Sequence, residues 1–397
     1  MHGVPVIALI DGEHHPSAVR DVLAGLDLAG VVFCGGEEKL GPGSLEEQYG
    51  MPVETDPEEA LRRLAPRADT VVDLADEPVV PASRKLRLAA LALGLGLAYE
   101  APGGRLEPPR YEPVGFDGPK LAVIATGKRT GKTAVAGHWA GLLREQGVEP
   151  VIVCMGRGGP AEPRVAEAAP SLNELLAIAD SGSHAASDYL EDAVIAGVRT
   201  VGCRRVGGGF AGAPFESNVP EGAARAASLN PGAILFEGSG ACIPPVETDR
   251  TVCILGAGSP EPFAEYRLAR ADLVLAAEGA SDPPPGALPF SLRSEPVEEI
   301  PGDARVAVFT TGATEVHGIP DPVLVSANLA RRTALAGELD RAAAERCDVY
   351  LTELKAAAID TVAVRARAEG ARVAFIRNRP LGIDDALVKL YRDAARK

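Results

Sequence analysis

Residues 121–135 read LAVIATGKRTGKTAV, an apolar run that passes through a turn of Gly, Thr and cations into a segment suited to a helix. A strand leading through such a turn into a helix wraps backbone N–H groups and the positive helix N-terminus around a phosphate. On this reading Gly127, Thr130, Gly131, Lys132 and Thr133 bind the phosphates of a nucleotide. Lys132 bridges the β- and γ-phosphates, and the Thr133 hydroxyl ligates Mg²⁺. The segment departs from G-x-x-x-x-G-K-[ST] at one place: Thr126 stands where the first glycine is usual, and Gly127 follows it. Lys128 and Arg129 add two cations within the turn. That much charge suits a transferring phosphoryl group facing a second anionic substrate, which makes Lys128, Arg129 and Lys132 candidate catalytic residues.

Outward from this loop, strand-like apolar runs alternate with helix-like segments almost throughout, the pattern of an α/β protein with parallel sheets. Three units are expected. A Rossmann-like domain spans 1–112, with strands near 4–10, 30–34 and 70–74. A P-loop NTPase-type parallel sheet spans 118–318, its strands ending with one at 306–310. A smaller C-terminal α/β subdomain spans 320–397. The Pro- and Gly-rich stretch 101–119 reads as a linker.

Further candidates fall at predicted strand ends. The run Ala233 to Phe236 closes on an acid, Glu237, followed by Gly238, Ser239 and Gly240. A carboxylate there is placed to hold Mg²⁺ or its water, so Glu237 joins Thr133 as a metal candidate and the lysines as a catalytic one. Two glycine-rich segments carry arginines: Arg157 with Gly158 and Gly159, and Arg204 with Arg205 before Gly207. Guanidinium forks and exposed backbone N–H groups at the ends of one sheet describe an anion pocket. Near the N-terminus, Asp11, Glu13, His14 and His15 follow the first strand. A capped turn is the simpler account of them, and Glu13 and His14 are kept as candidate substrate-binding residues.

Composition narrows the class. A formal charge of −15 argues against nucleic acid as a general partner, and only eight lysines occur, two of them in the loop. No apolar stretch is long enough for a membrane span, and the N-terminal apolar run lacks the basic flank of a signal peptide, so a cytoplasmic protein is expected. The six cysteines are scattered without metal or redox spacing and are expected to be reduced core residues, and the histidines show no metal spacing. No Lys has Asp two residues on, which favours ATP over GTP.

Taken together, ALIDGEH at 8–14, TGKRTGKT at 126–133, MGRGGP at 155–160 and EGSGACIPP at 237–245 resemble the cyclic 2,3-diphosphoglycerate synthetase family over most of the chain. The resemblance implies an ATP- and Mg²⁺-dependent ligase that closes 2,3-diphosphoglycerate into its cyclic pyrophosphate and releases ADP and phosphate. It also implies a small phosphorylated acid as partner, with a homodimer as the expected assembly. A substrate with two phosphates and a carboxylate needs several converging arginines. Two rivals share parts of the pattern: a carboxylate-activating ligase similar to dethiobiotin synthetase, and a GTP-dependent switch or metallochaperone.

Overall fold

A computed structural model describes residues 4–182 and 185–396, so His2, His184 and Lys397 lie outside the described residues. The chain forms two compact units, one of Met1–Arg110, Phe210–Gly212 and Ser259–Arg270, the other of Tyr111–Gly209, Ala213–Gly258 and Ala271–Lys397. No helix among the described residues is long and apolar enough to cross a membrane. All six cysteines are buried and outside any disulfide.

The first unit carries a six-stranded sheet in the order Val53–Glu54, Leu28–Phe33, Val6–Ile10, Thr70–Asp73, Ala98–Ala101, Gly104–Leu106. The first five strands run parallel and the last returns antiparallel. This is the Rossmann order with the first strand central, which is why every residue of Val6–Ile10 is buried. The stretch expected as linker from 101 contains that final hairpin, turned by Gly103 at φ 112°.

In the second unit, a nine-stranded sheet is built mostly of parallel strands around Lys120–Ala125. Its neighbours there are Ala233–Glu237 and Arg250–Leu255, with Pro150–Gly156 and Arg199–Val206 beyond the former. Successive residues of a strand face opposite sides. Ile152 and Cys154 therefore join the core under the helix Lys132–Glu145, while Val153 meets Gly222 of the helix Val219–Ala227 on the other side. Trp139 is wholly buried at the centre of the first helix and donates its indole N–H to the Leu387 carbonyl at 3.1 Å. That carbonyl belongs to the terminal helix Asp384–Ala394.

The C-terminal sheet has the order Ser291–Pro296, Arg372–Leu381, Val349–Glu353, Val306–Phe309, Leu324–Ser326. Two of these strands precede the boundary expected at 318–320, which therefore falls inside the sheet. Local periodicity identifies a strand but not the neighbour it pairs with, and here the pairing partners lie up to 90 residues apart (Ser291 with Leu381).

One half-buried ion pair ties this sheet to the central one. Lys355, just past Val349–Glu353, lies 3.2 Å from Glu191 on the helix Asp188–Ala196. Burial pushes the Glu191 carboxyl up to about 7, with the Lys355 ammonium opposing the shift. A carboxyl raised above its unfolded value contributes stability that is full below about pH 4.5 and is lost as pH rises through about 7. Replacing Lys355 by Met removes the opposing charge and steepens that loss. Breaking a buried pair costs roughly 3–5 kcal/mol. With 39% of the Lys355 side chain exposed, solvent screening reduces the expectation to about 1–3 kcal/mol at pH 8. Lys355→Met is expected to destabilise clearly more in urea unfolding at pH 8 than at pH 5; equal losses would show that the lysine does not serve the Glu191 charge.

Candidate active site

The loop 126–131 leaves Lys120–Ala125 at the carboxyl edge of the nine-stranded sheet and enters the helix Lys132–Glu145. Gly131 caps that helix at φ 92°, and a Cβ there would also stand 3.1 Å from a methyl of Leu292. Thr126 explains its own departure from the motif. Its N–H donates to the Ile254 carbonyl at 3.0 Å and its hydroxyl accepts the Gly256 N–H at 3.1 Å, fastening the loop to the neighbouring strand. Lys132 is only 8% exposed; its ammonium donates to the Gly127 carbonyl at 2.8 Å and lies 3.5 Å from the Thr130 hydroxyl. Burial pulls its pKa below the ordinary lysine range, against the raising effect of Glu237. Lys128 and Arg129 are exposed, Arg129 with φ 57°.

Glu237 ends the neighbouring strand, 4% exposed. The Thr133 hydroxyl donates to its Oε1 at 2.6 Å, so the two metal candidates, 104 positions apart in the chain, meet. Its Oε2 is buried and has no partner. Burial, and then the charge of Asp188, push the Glu237 carboxyl above the usual range. A buried carboxylate oxygen without a donor, beside a hydroxyl at a phosphate loop, is the donor set that a hard divalent cation takes. These residues fit Mg²⁺. Behind them the Cys154 thiol donates to Asp192 at 3.2 Å, and single ligating atoms of Cys154, Asp192 and Glu237 all lie within 4.8 Å of one another.

The anion side is only partly as the sequence suggests. Arg157 follows the strand Pro150–Gly156, and its guanidinium covers Gly240 so closely that any side chain there would collide with it. The Lys128 side chain comes to 3.5 Å from the same point. Arg157, Gly158 and Gly159 line a cleft of about 210 Å³ together with Asp188 and Ser239. Gly159 presses against the Cys203 carbonyl, an approach that only glycine permits. Arg204 and Arg205, adjacent on one strand, point to opposite faces. Arg205 is buried and donates to the carbonyls of Ser239 at 3.0 Å and Gly207 at 2.5 Å, so its fork braces the loops. Arg204 turns to the sheet edge, 3.8 Å from Glu216.

Glu13 and His14 belong to the first unit. Asp11 closes their turn, accepting the Glu13 N–H at 3.0 Å and lying 2.9 Å from the His14 ring nitrogen, while Glu13 pairs with Lys39. Asp188 and Asp192 escaped the sequence reading, which saw only helices within 171–197. Their spacing of four, just after Ser187, was the available signal.

Comparison with known proteins covers the same three regions. The chain matches the family models described as cyclic 2,3-diphosphoglycerate synthetase N-terminal domain at residues 5–107, P-loop domain at 120–283 and C-terminal domain at 296–379. The cyclic 2,3-diphosphoglycerate synthetase of Rubrobacter xylanophilus is 42% identical, over 98% of this chain and 97% of its own. Those of Thermococcus gammatolerans and Methanothermus fervidus are 38% and 34% identical, over 95% and 96% of this chain and 94% of each relative. With these matches running along nearly its whole length, the chain belongs to the cyclic 2,3-diphosphoglycerate synthetase family.

Proposed function

We propose that this enzyme uses ATP with Mg²⁺ to close 2,3-diphosphoglycerate into cyclic 2,3-diphosphoglycerate, releasing ADP and phosphate. The observation that carries the reading is the Thr133–Glu237 hydrogen bond of 2.6 Å beside a phosphate loop, with Arg157 lining the adjoining cleft. Thr133 and Glu237 would hold Mg²⁺, whose charge, when bound, would neutralise that of the nucleotide phosphates.

The remaining steps belong to the chain's own groups. Lys132 turns from the Gly127 carbonyl to the β- and γ-phosphates, while Lys128 and Arg129 stabilise charge on the transferring group. Arg157 orients the acid substrate, with the N–H groups around Gly158 and Gly159 exposed to the same ligand. Phosphoryl transfer to one substrate phosphate releases ADP and makes that phosphorus the site of attack. An oxygen of the other substrate phosphate then attacks it, expelling inorganic phosphate and closing the ring. No general base is required, because the attacking phosphate is already ionised near neutral pH.

Lys132→Ala is expected to lower kcat by at least about 10²-fold, the cost of removing a preorganised charge from the transition state. ADP release in a coupled assay, with the product followed by ³¹P NMR, measures it; near-wild-type turnover in a folded variant rules the assignment out. The three arginines should separate. Arg157→Ala should raise KM for 2,3-diphosphoglycerate about 10-fold or more with little change in KM for ATP, and Arg157→Lys should restore only part, lacking the bidentate fork. Arg204→Ala should leave both KM values near wild type, and Arg205→Ala should lower thermal stability. Equal effects of Arg157→Ala on the two substrates would move that residue to the nucleotide.

A further inference from the structure

Magnesium on a nucleotide is commonly held through one or two carboxylates together with phosphate oxygens and several waters. Glu237 supplies one carboxylate, with Oε2 buried and unpartnered. The helix Asp188–Ala196 starts at the cleft that Arg157 and Cys154 line, and its acids Asp188 and Asp192, four residues apart, share a face. Asp192 establishes where that face points: one oxygen accepts the Cys154 thiol, and a ligating oxygen lies within 4.8 Å of one on Glu237. Its Oδ1 is also buried without a partner. Asp188, a turn nearer the helix start, lines the cleft with Arg157 and Ser239. Asp188 is exposed. Its charge reaches both Glu237 and Lys132, raising the pKa of each.

We propose that Asp188 is the second carboxylate of the divalent-cation site, facing the hydrated ion together with Glu237, with Asp192 and Cys154 as positioning residues behind them. Two carboxylates at one cation divide the work. Glu237, nearly dry and tied to Thr133, sets the position; Asp188, open to the cleft, holds the waters of an ion that gives them up reluctantly. The proposal rests on the assignment of Thr133 and Glu237 to the cation. An acid in the first turn of a helix also stabilises the helix through its dipole. That role alone would change thermal stability and leave metal affinity untouched.

The test uses Mn²⁺ as the probe, its free concentration read by electron paramagnetic resonance on the full chain with saturating ADP. Asp188→Asn is expected to weaken Mn²⁺ binding about 10–100-fold, as loss of a supporting metal-site group does. ADP affinity without metal should remain at the wild-type value, and Asp188→Glu should recover part of the loss. Should Asp188→Asn fail to fold, Asp188→Ser keeps a residue suited to a helix start and should show the same weakening. Wild-type Mn²⁺ affinity in a folded Asp188→Asn or Asp188→Ser protein overturns the proposal while Glu237→Gln still abolishes binding. If Glu237→Gln also leaves Mn²⁺ binding intact, the cation assignment itself falls, and Asp188 falls with it.

Discussion

A cation and a carboxylate kept almost dry, side by side at the carboxyl edge of one sheet, set the terms for the rest of the site. Lys132 and Glu237 are 8% and 4% exposed, each shifted by burial toward its neutral form. Such groups persist only when satisfied by their neighbours. Here the Gly127 carbonyl does that for Lys132, and the Thr133 hydroxyl for one oxygen of Glu237, leaving Oε2 without a partner on the protein. The apolar strands Lys120–Ala125 and Pro150–Gly156 supply the low-dielectric walls. In those surroundings a charge acts on a transferring phosphoryl group with far more force than it would in water.

The C-terminal segment serves this arrangement. Leu292 backs the glycine that opens the loop helix, Leu387 accepts the Trp139 indole N–H from the same helix, and Lys355 pairs with Glu191 one turn from Asp188. Three contacts from the C-terminal sheet and terminal helix thus bear on the helices that carry Lys132 and Asp188. Of the three, only Lys355 lies within residues 296–379, the region matched as a C-terminal domain; Leu292 and Leu387 flank it.

Much of this was legible in the order of residues. The loop, its strand and helix and the α/β class all follow from local pattern, because each is a short-range consequence of turn chemistry and apolar runs; Thr133 and Glu237 could each be named from their own segments, but their meeting across 104 positions belongs to the fold. What pattern could not convey was direction and partnership. Arg204 and Arg205 looked equivalent until the pleat sent one to the edge and the other inward to brace Ser239. The strand Ser291–Pro296 gave no sign of its partner Arg372–Leu381. Asp188 and Asp192 are two acids among 55 acidic residues, and beyond their spacing of four it takes the packing of their helix to bring Asp192 beside Cys154 and Glu237.

The substitution of Thr126 for the usual glycine reaches beyond its own position. Its hydroxyl engages the Gly256 N–H, and a Cβ on Gly256 would stand 2.9 Å from the Thr130 methyl, closer than carbon atoms pack. Loop and neighbouring strand are therefore keyed to each other, threonine on one side requiring a bare backbone on the other. A graft of residues 126–133 onto another parallel sheet would carry the phosphate-binding letters but not the lock that holds them still. The transferable unit is the loop together with the turn that follows Arg250–Leu255.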